Sequence, residues 1–265
     1  MKIQNAILIH GPGRSGTTLL NGILALHEDL AWISGYTNRY PKQLWLTYLN
    51  RLQANTAFER FNRGKRRYPR PAEAYNFWLH YVSQFNDKHC DIISNEEAIN
   101  TINAISKIVS YSGKKKFITK ITGNSRCQTI EAVFDNPTII WIDRDPKAVI
   151  MSYYKQRWKY KKYPEKFNSK SKKELLFEYY SLYKGFHEEQ KKLEKFNLKI
   201  FYYEDLIKDK LAFFQRICDF TGLEFTANFK KLVDSWKILE GTNSSYKKYI
   251  SNEEEAYLDE LISGK

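Results

Sequence analysis

The apolar run Ala6-Ile7-Leu8-Ile9 is followed by Gly11-Pro12-Gly13-Arg14-Ser15-Gly16-Thr17-Thr18, and then by Leu19 to Leu26, which reads as a helix. Strand, glycine turn and helix start gather several backbone N–H groups and the positive end of a helix dipole around one anion. A nucleoside triphosphatase carries Gly-x-x-x-x-Gly-Lys-Thr/Ser, with the lysine on the outer phosphates and the hydroxyl on magnesium. Gly11 and Gly16 keep that spacing, but Thr17 stands where the lysine belongs. The cation is instead Arg14, on the other side of the second glycine. This pattern favours a 5′-phosphate donor that needs no magnesium over ATP hydrolysis. For the loop taken alone, a turn that binds no anion remains the bland alternative.

Further strand–helix pairs follow. Thr138 to Ile142 is β-branched and aromatic, the composition of a buried strand. Asp145 suits the cap of the next helix and Pro146 its first position, where a missing N–H costs nothing. Leu198 to Leu206 reads as a strand ending in acidic residues, followed by a helix from about Lys210 to Thr221 that Gly222 closes. Phe117 to Ile121 is another strand, and Glu253 to Ile262 a terminal amphipathic helix with an acidic first turn. The alternation predicts one α/β domain over 1–265 with a central, mostly parallel sheet flanked by helices.

Three of these stretches resemble one family. Arg14-Ser15-Gly16-Thr17-Thr18-Leu19 resembles the 5′-phosphosulfate loop of sulfotransferases that use 3′-phosphoadenosine 5′-phosphosulfate (PAPS). Arg144-Asp145-Pro146-Lys147, with Ser152 eight positions after the arginine and then Tyr153-Tyr154, resembles their 3′-phosphate site. Tyr203-Glu204-Asp205-Leu206, with Phe214, Ile217, Phe220 and Gly222-Leu223, is similar to their late strand and helix. The likeness covers Asn5 to Leu30 and Phe117 to Leu223, and the C-terminus loosely.

The resemblance implies a P-loop-like fold, PAPS as donor, and no metal. It implies that Gly13, Arg14, Ser15, Gly16, Thr17 and Thr18 hold the 5′-phosphosulfate, and that Arg144 and Ser152 hold the 3′-phosphate. Tyr203 is then near the adenine, although a half-buried strand tyrosine explains it equally well. Tyr246-Lys247 matches an aromatic–basic pair in a last loop that closes over the cofactor; a solvated lysine-rich turn is the alternative. Arg14 is expected to meet charge on the departing bridging oxygen, and Lys120, at a strand end, is the second catalytic candidate. The Lys-x-His pattern of small-molecule members reads Lys120-Ile121-Thr122 here, which leaves the general base unassigned. Carbohydrate-type members use a glutamate, so Glu96 or Glu97 is the candidate; each also reads as a surface carboxylate of a first helical turn.

Residues 36–112 form a helical, aromatic-rich insertion, the expected acceptor side. Trp45, Tyr48, Tyr75, Trp78 and Tyr81 suit stacking on sugar rings, with core packing the better reading for each singly. The formal charge of +13 invites a nucleic-acid reading, with clusters at Arg60 to Arg70, Lys114 to Lys116 and Arg157 to Lys162. A polyanionic donor and an acidic acceptor, such as a uronic-acid glycan, explain the surplus more economically. The preferred acceptor is a carbohydrate hydroxyl, with a small-molecule P-loop kinase as the runner-up and a nucleic-acid module third. Cys90, Cys127 and Cys218 form no metal or disulfide framework, no apolar run approaches a bilayer span, and the early first strand leaves no room for a leader. The expectation is a cytoplasmic enzyme with no membrane span and no nucleic-acid partner.

Overall fold

A computed structural model of the chain describes residues 1–54, 69–87, 91–238 and 243–264. The basic cluster from Arg60 to Arg67 lies outside the described residues, as do Cys90, Gly241 and Thr242.

Five strands form one sheet: β2 (Ile7–His10), β3 (Leu30–Trp32), β4 (Lys116–Lys120), β6 (Thr138–Asp143) and β7 (Asn197–Tyr202). They lie in the order β3-β4-β2-β6-β7, and every pairing is parallel. Two short strands, β1 (Ile3–Gln4) and β5 (Phe134–Asp135), pair separately. Parallel neighbours need helical crossovers, so both faces of the sheet are covered and its central strands read as nearly unbroken apolar runs.

Side-chain parity sorts those runs into two cores. Ile7, Ile9, Ile118, Ile140 and Ile142 face one way, against α1 (Thr17–Leu24) and the helices Lys210–Thr221 and Ala227–Ser235. Leu8, Phe117, Ile139 and Trp141 face the other way, against helices Tyr75–Tyr81 and Asn95–Ser112. A third cluster joins helix Pro146–Lys155 to Lys172–Leu193 and Asn252–Ser263. Phe77 and Trp78 are buried to 0% exposure, so the 36–112 segment supplies core as well as surface.

All five strands point their carboxyl ends to one edge. From β2 the chain winds out to β3, and from β6 it winds the other way to β7, so the loops after β2 and β6 diverge over a crevice. In open α/β sheets that crevice is where ligands bind.

Several elements differ from the sequence reading. The strand ending in Tyr203-Glu204-Asp205 stops at Tyr202, and Tyr203–Lys208 is a helix whose first turn carries Glu204 and Asp205. Acidic side chains are favoured there by the helix dipole. The 22-residue helix Lys172–Leu193, opened by a Ser171/Glu174 capping box, and the short β3 were not anticipated. The segment expected to be helical around Leu44 is a 3₁₀ run, Leu44–Ala54.

Candidate active site

The loop after β2 is tightly packed. Gly11 has φ +147°, and a Cβ there would lie 2.3 Å from the Ile142 carbonyl oxygen. Gly13 lies under Trp158, whose ring a Cβ would meet at 1.7 Å. Gly16 has φ +102° and abuts Tyr203, 2.6 Å from where a Cβ would be. Arg14 is also left-handed, at φ +71°. The turn closes on Pro12 O, which accepts from Ser15 N–H at 3.2 Å and Ser15 Oγ at 2.7 Å. The Tyr153 hydroxyl donates to Gly13 O at 2.8 Å from the helix after β6. α1 then starts with Gly16 as a left-handed N-cap that makes no side-chain capping bond. Its first-turn N–H groups are suited to an anion.

The strand β6 brings its own helix alongside. Asp145 Oδ1 accepts from the Lys147 and Ala148 amides at 2.7 and 3.2 Å, so the cap reading holds. Arg14 Nε donates to Ser152 Oγ at 3.1 Å. With its amide turned so that Oε1 faces the guanidinium, Gln156 accepts from Arg14 Nη2 at 2.8 Å. Arg144 Nη1 donates to the Arg14 carbonyl at 3.1 Å, and its Nε to Asn243 Oδ1 at 2.7 Å. Its guanidinium lies 4.6 Å over the Tyr203 ring, a cation–π contact. Glu204 Oε1 holds the Asp145 amide at 2.9 Å and also accepts from Asn243. Burial lowers the Arg144 pKa, and the charge of Arg14 lowers it further against Tyr203 and the acids nearby.

Lys120 ends β4 on the same face as Ile118, which aims it at α1. Its side chain is 2% exposed. The ammonium donates to Thr18 Oγ1 at 2.8 Å and pairs with Glu73, which also accepts from Thr18 at 3.2 Å. Burial lowers the Lys120 pKa, Glu73 opposes that, and the charge of Arg14 adds to the lowering. Arg14 therefore bears on both Arg144 and Lys120, and three cations converge on the loop. Glu73, with a 48% exposed side chain, faces solvent at its mouth.

Other residues named from the sequence lie differently. Glu97 is not at the loop: its carboxylate receives the amides of Ser83 at 2.8 Å and Ser94 at 2.9 Å in a capping box. Those bonds hold its pKa at about 2. Glu96 is exposed in the same first turn and lines a separate cleft of about 740 Å³ with Leu44, His80, Asn100 and Lys107. Among the described residues the carboxylate that pairs with Lys120 is Glu73, which nothing in its sequence neighbourhood marks. Tyr246 is buried and donates to Glu255 Oε1 at 3.0 Å, while Lys247 is exposed. Asn243 of that last loop accepts from Arg144 Nε. Trp78 is core, Tyr75 and Tyr81 bond to Thr122 and Pro41, and Trp45 and Tyr48 are exposed. Among the described residues, no group of three or more His, Cys, Asp or Glu side chains is placed to hold a metal ion.

The model of a family described as the sulfotransferase family matches residues 6–227. Among solved structures, sulfotransferase STF9 from Mycobacterium avium superposes with a TM-score of 0.59 at 14% identity, over 89% of this chain and 68% of that one. The sulfotransferase domain from the curacin biosynthetic pathway gives 0.58 at 15%, over 98% of both chains. A retinol dehydratase in complex with retinol and PAP gives 0.50 at 16%, over 100% of this chain and 81% of that one. No curated protein matches the chain by sequence. The chain belongs to the sulfotransferase family, and its α/β architecture with a mostly parallel central sheet is the one those superposed sulfotransferases share. Among the described residues, no helix is long and apolar enough to cross a membrane.

Proposed function

We propose that the loop Gly13 to Thr18, with Arg144 and Ser152, holds PAPS, and that Glu73 serves as general base toward a hydroxyl of a carbohydrate acceptor. The observation that carries this reading is the convergence of Arg14, Arg144 and Lys120 beside an uncapped helix N-terminus. Like charges held together in partly buried positions are stabilised by an anionic ligand. The residues fit a donor with phosphate groups at two ends: the glycines leave no room for a side chain on the loop, and Arg144 and Ser152 stand beside it in the turn after β6 and on the helix that follows. Arginine suits the 3′-phosphate because its fork meets two oxygens and its charge is permanent.

When bound, PAPS supplies the sulfuryl group. Glu73 takes the proton that an acceptor hydroxyl must lose. Lys120 holds Glu73 and Thr18 in register and presents its ammonium to charge that builds at the loop. Arg14 adds a second cation, so that positioning and charge stabilisation supply most of the rate, as in phosphoryl transfer. Tyr203 wedges between Gly16 and Arg144 and fixes the distance between the two anion-holding segments.

Support for a carbohydrate comes from the arginine-type loop, from Thr122 where small-molecule members carry histidine, and from the exposed Trp45 and Tyr48. Support for an acidic one comes from Lys159, Lys161 and Lys162, exposed on the turn that lays Trp158 over Gly13. The segment 36–112 then acts as the acceptor side of a single 1–265 domain, through Glu73. The free thiols Cys127 and Cys218 suit a reducing cytoplasm. The test is turnover of PAPS with matched neutral and uronic-acid oligosaccharides. Faster transfer to the acidic member, lost with rising salt, supports this acceptor; transfer only to apolar alcohols contradicts it.

A further inference from the structure

Asp143, the last residue of β6, lies directly before Arg144. Its Oδ1 accepts from the Arg144 amide at 2.8 Å and from the Tyr183 hydroxyl at 3.2 Å. Its Oδ2 lies 2.9 Å from His187 Nε2, and His187 Nδ1 lies 3.1 Å from the main-chain oxygen of Tyr183. Both ring nitrogens therefore face oxygens that have no proton to give, one a carboxylate and one a carbonyl. A neutral imidazole has one N–H and would set a lone pair against one of these oxygens; only the imidazolium donates to both.

We infer that His187 is an imidazolium in this fold and a positioning residue for Arg144, so that affinity for a 3′-phosphate falls as His187 loses its proton. The inference rests on the PAPS reading above and assigns that site a protonation requirement. Protonated, His187 neutralises Asp143 and fixes the carboxylate that holds the Arg144 amide. Deprotonated, it leaves an uncompensated negative charge beside the arginine that meets the anion, and frees the carboxylate to turn.

The surroundings agree. Burial disfavours the imidazolium, but the hydrogen bond and charge of Asp143, the Tyr183 carbonyl and the charge of Glu188 outweigh it, and the pKa lies above the ordinary histidine value. The Trp141 ring, from β6, stands edge-on at 6.0 Å, and the Tyr183 ring lies at 4.5 Å. Tyr153 and Asp145, from the next helix and its cap, bear on Tyr183, whose phenol burial keeps protonated and able to donate to Asp143.

The experiment compares binding of 3′-phosphoadenosine 5′-phosphate (PAP) and AMP by calorimetry from about pH 7 upward, above the second ionisation of a phosphate monoester near 6. AMP reports the 5′ site alone, so the difference isolates the 3′ site. In the native protein the PAP preference should fall with pH, about tenfold for each unit by which the anion raises the His187 pKa. His187→Gln should show the weak, pH-independent preference at every pH, and His187→Lys, charged throughout, should keep the strong one. Nitrogen-detected NMR of the imidazole should find both ring nitrogens protonated near neutral pH. A neutral His187 at that pH, or an unchanged pH slope in His187→Gln with the PAP preference intact, overturns the role of His187 alone. No preference for PAP over AMP at any pH overturns the donor reading and this inference with it.

Discussion

Arg14 Nε donates to Ser152 Oγ at 3.1 Å across 138 positions of chain. One hydrogen bond thus ties the loop after β2 to the helix after β6, the two segments proposed to hold the PAPS donor. Arg14 is exposed and left-handed, so its guanidinium is held by these partners rather than by burial. Replacing it with alanine should slow turnover about 100- to 1000-fold, the usual cost of removing one preorganised donor. PAP binding, measured by calorimetry, should weaken far less. If rate and affinity fall together, Arg14 only holds the ligand.

Glu73→Gln removes the proton acceptor while keeping the shape and the contacts to Lys120 and Thr18. General-base catalysis is worth about 10²- to 10⁴-fold, and kcat should fall by that order with the KM for PAPS nearly unchanged. Melting temperature should also fall, because the buried Lys120 ammonium loses its counter-charge. Unaltered kcat would falsify the assignment.

With Glu97→Gln turnover should persist, while loss of the capping bonds costs about 1 kcal/mol, or roughly 2–4 °C in a domain of this size. The pH dependence has a defined sign. The Glu97 carboxyl is held at about 2 in the folded chain, below the ordinary glutamate value of 4.5. Its contribution is full above that higher value and disappears as pH falls through the lower one. The melting difference between variant and parent should therefore close on acidification, as read by calorimetry across that range.

Gly16→Ala forces a left-handed φ of +102° on a residue with a Cβ and drives that Cβ toward Tyr203. Strain of this kind costs about 1–3 kcal/mol. The expected result is a lower melting temperature together with weaker PAP binding, since Tyr203 must move and Arg144 rests on its ring. A variant that melts and binds like the parent contradicts this packing.

The two contiguous segments proposed to hold the donor are legible in the sequence, and the Glu73 carboxylate beside Lys120 is not, for a physical reason. Anion loops are built from contiguous backbone, so Gly11 to Thr18 and Arg144 to Ser152 carry their spacing in the chain. Glu73 reaches Lys120 only because helix Tyr75–Tyr81 packs its Phe77 and Trp78 against the sheet, and no local pattern encodes that. Asn243 is likewise placed by tertiary contacts with Arg144 and Glu204. The Lys172–Leu193 helix did carry a readable signal, Ser171 followed by Glu174, as did the acidic pair that turns Tyr203–Lys208 helical. Tyr246 reads in the sequence as half of a cofactor-closing pair; in the fold its ring packs in the third cluster and its hydroxyl donates to Glu255.

Thermal unfolding with PAP, AMP and Mg-ATP in parallel tests the central claim most directly. A ligand at about 100 times its dissociation constant adds roughly 2.7 kcal/mol, a rise of several degrees here. The account predicts the largest rise with PAP, little with AMP, none with Mg-ATP, and loss of the PAP–AMP difference in Arg144→Ala. A rise with Mg-ATP alone would contradict it and return the loop to the kinases.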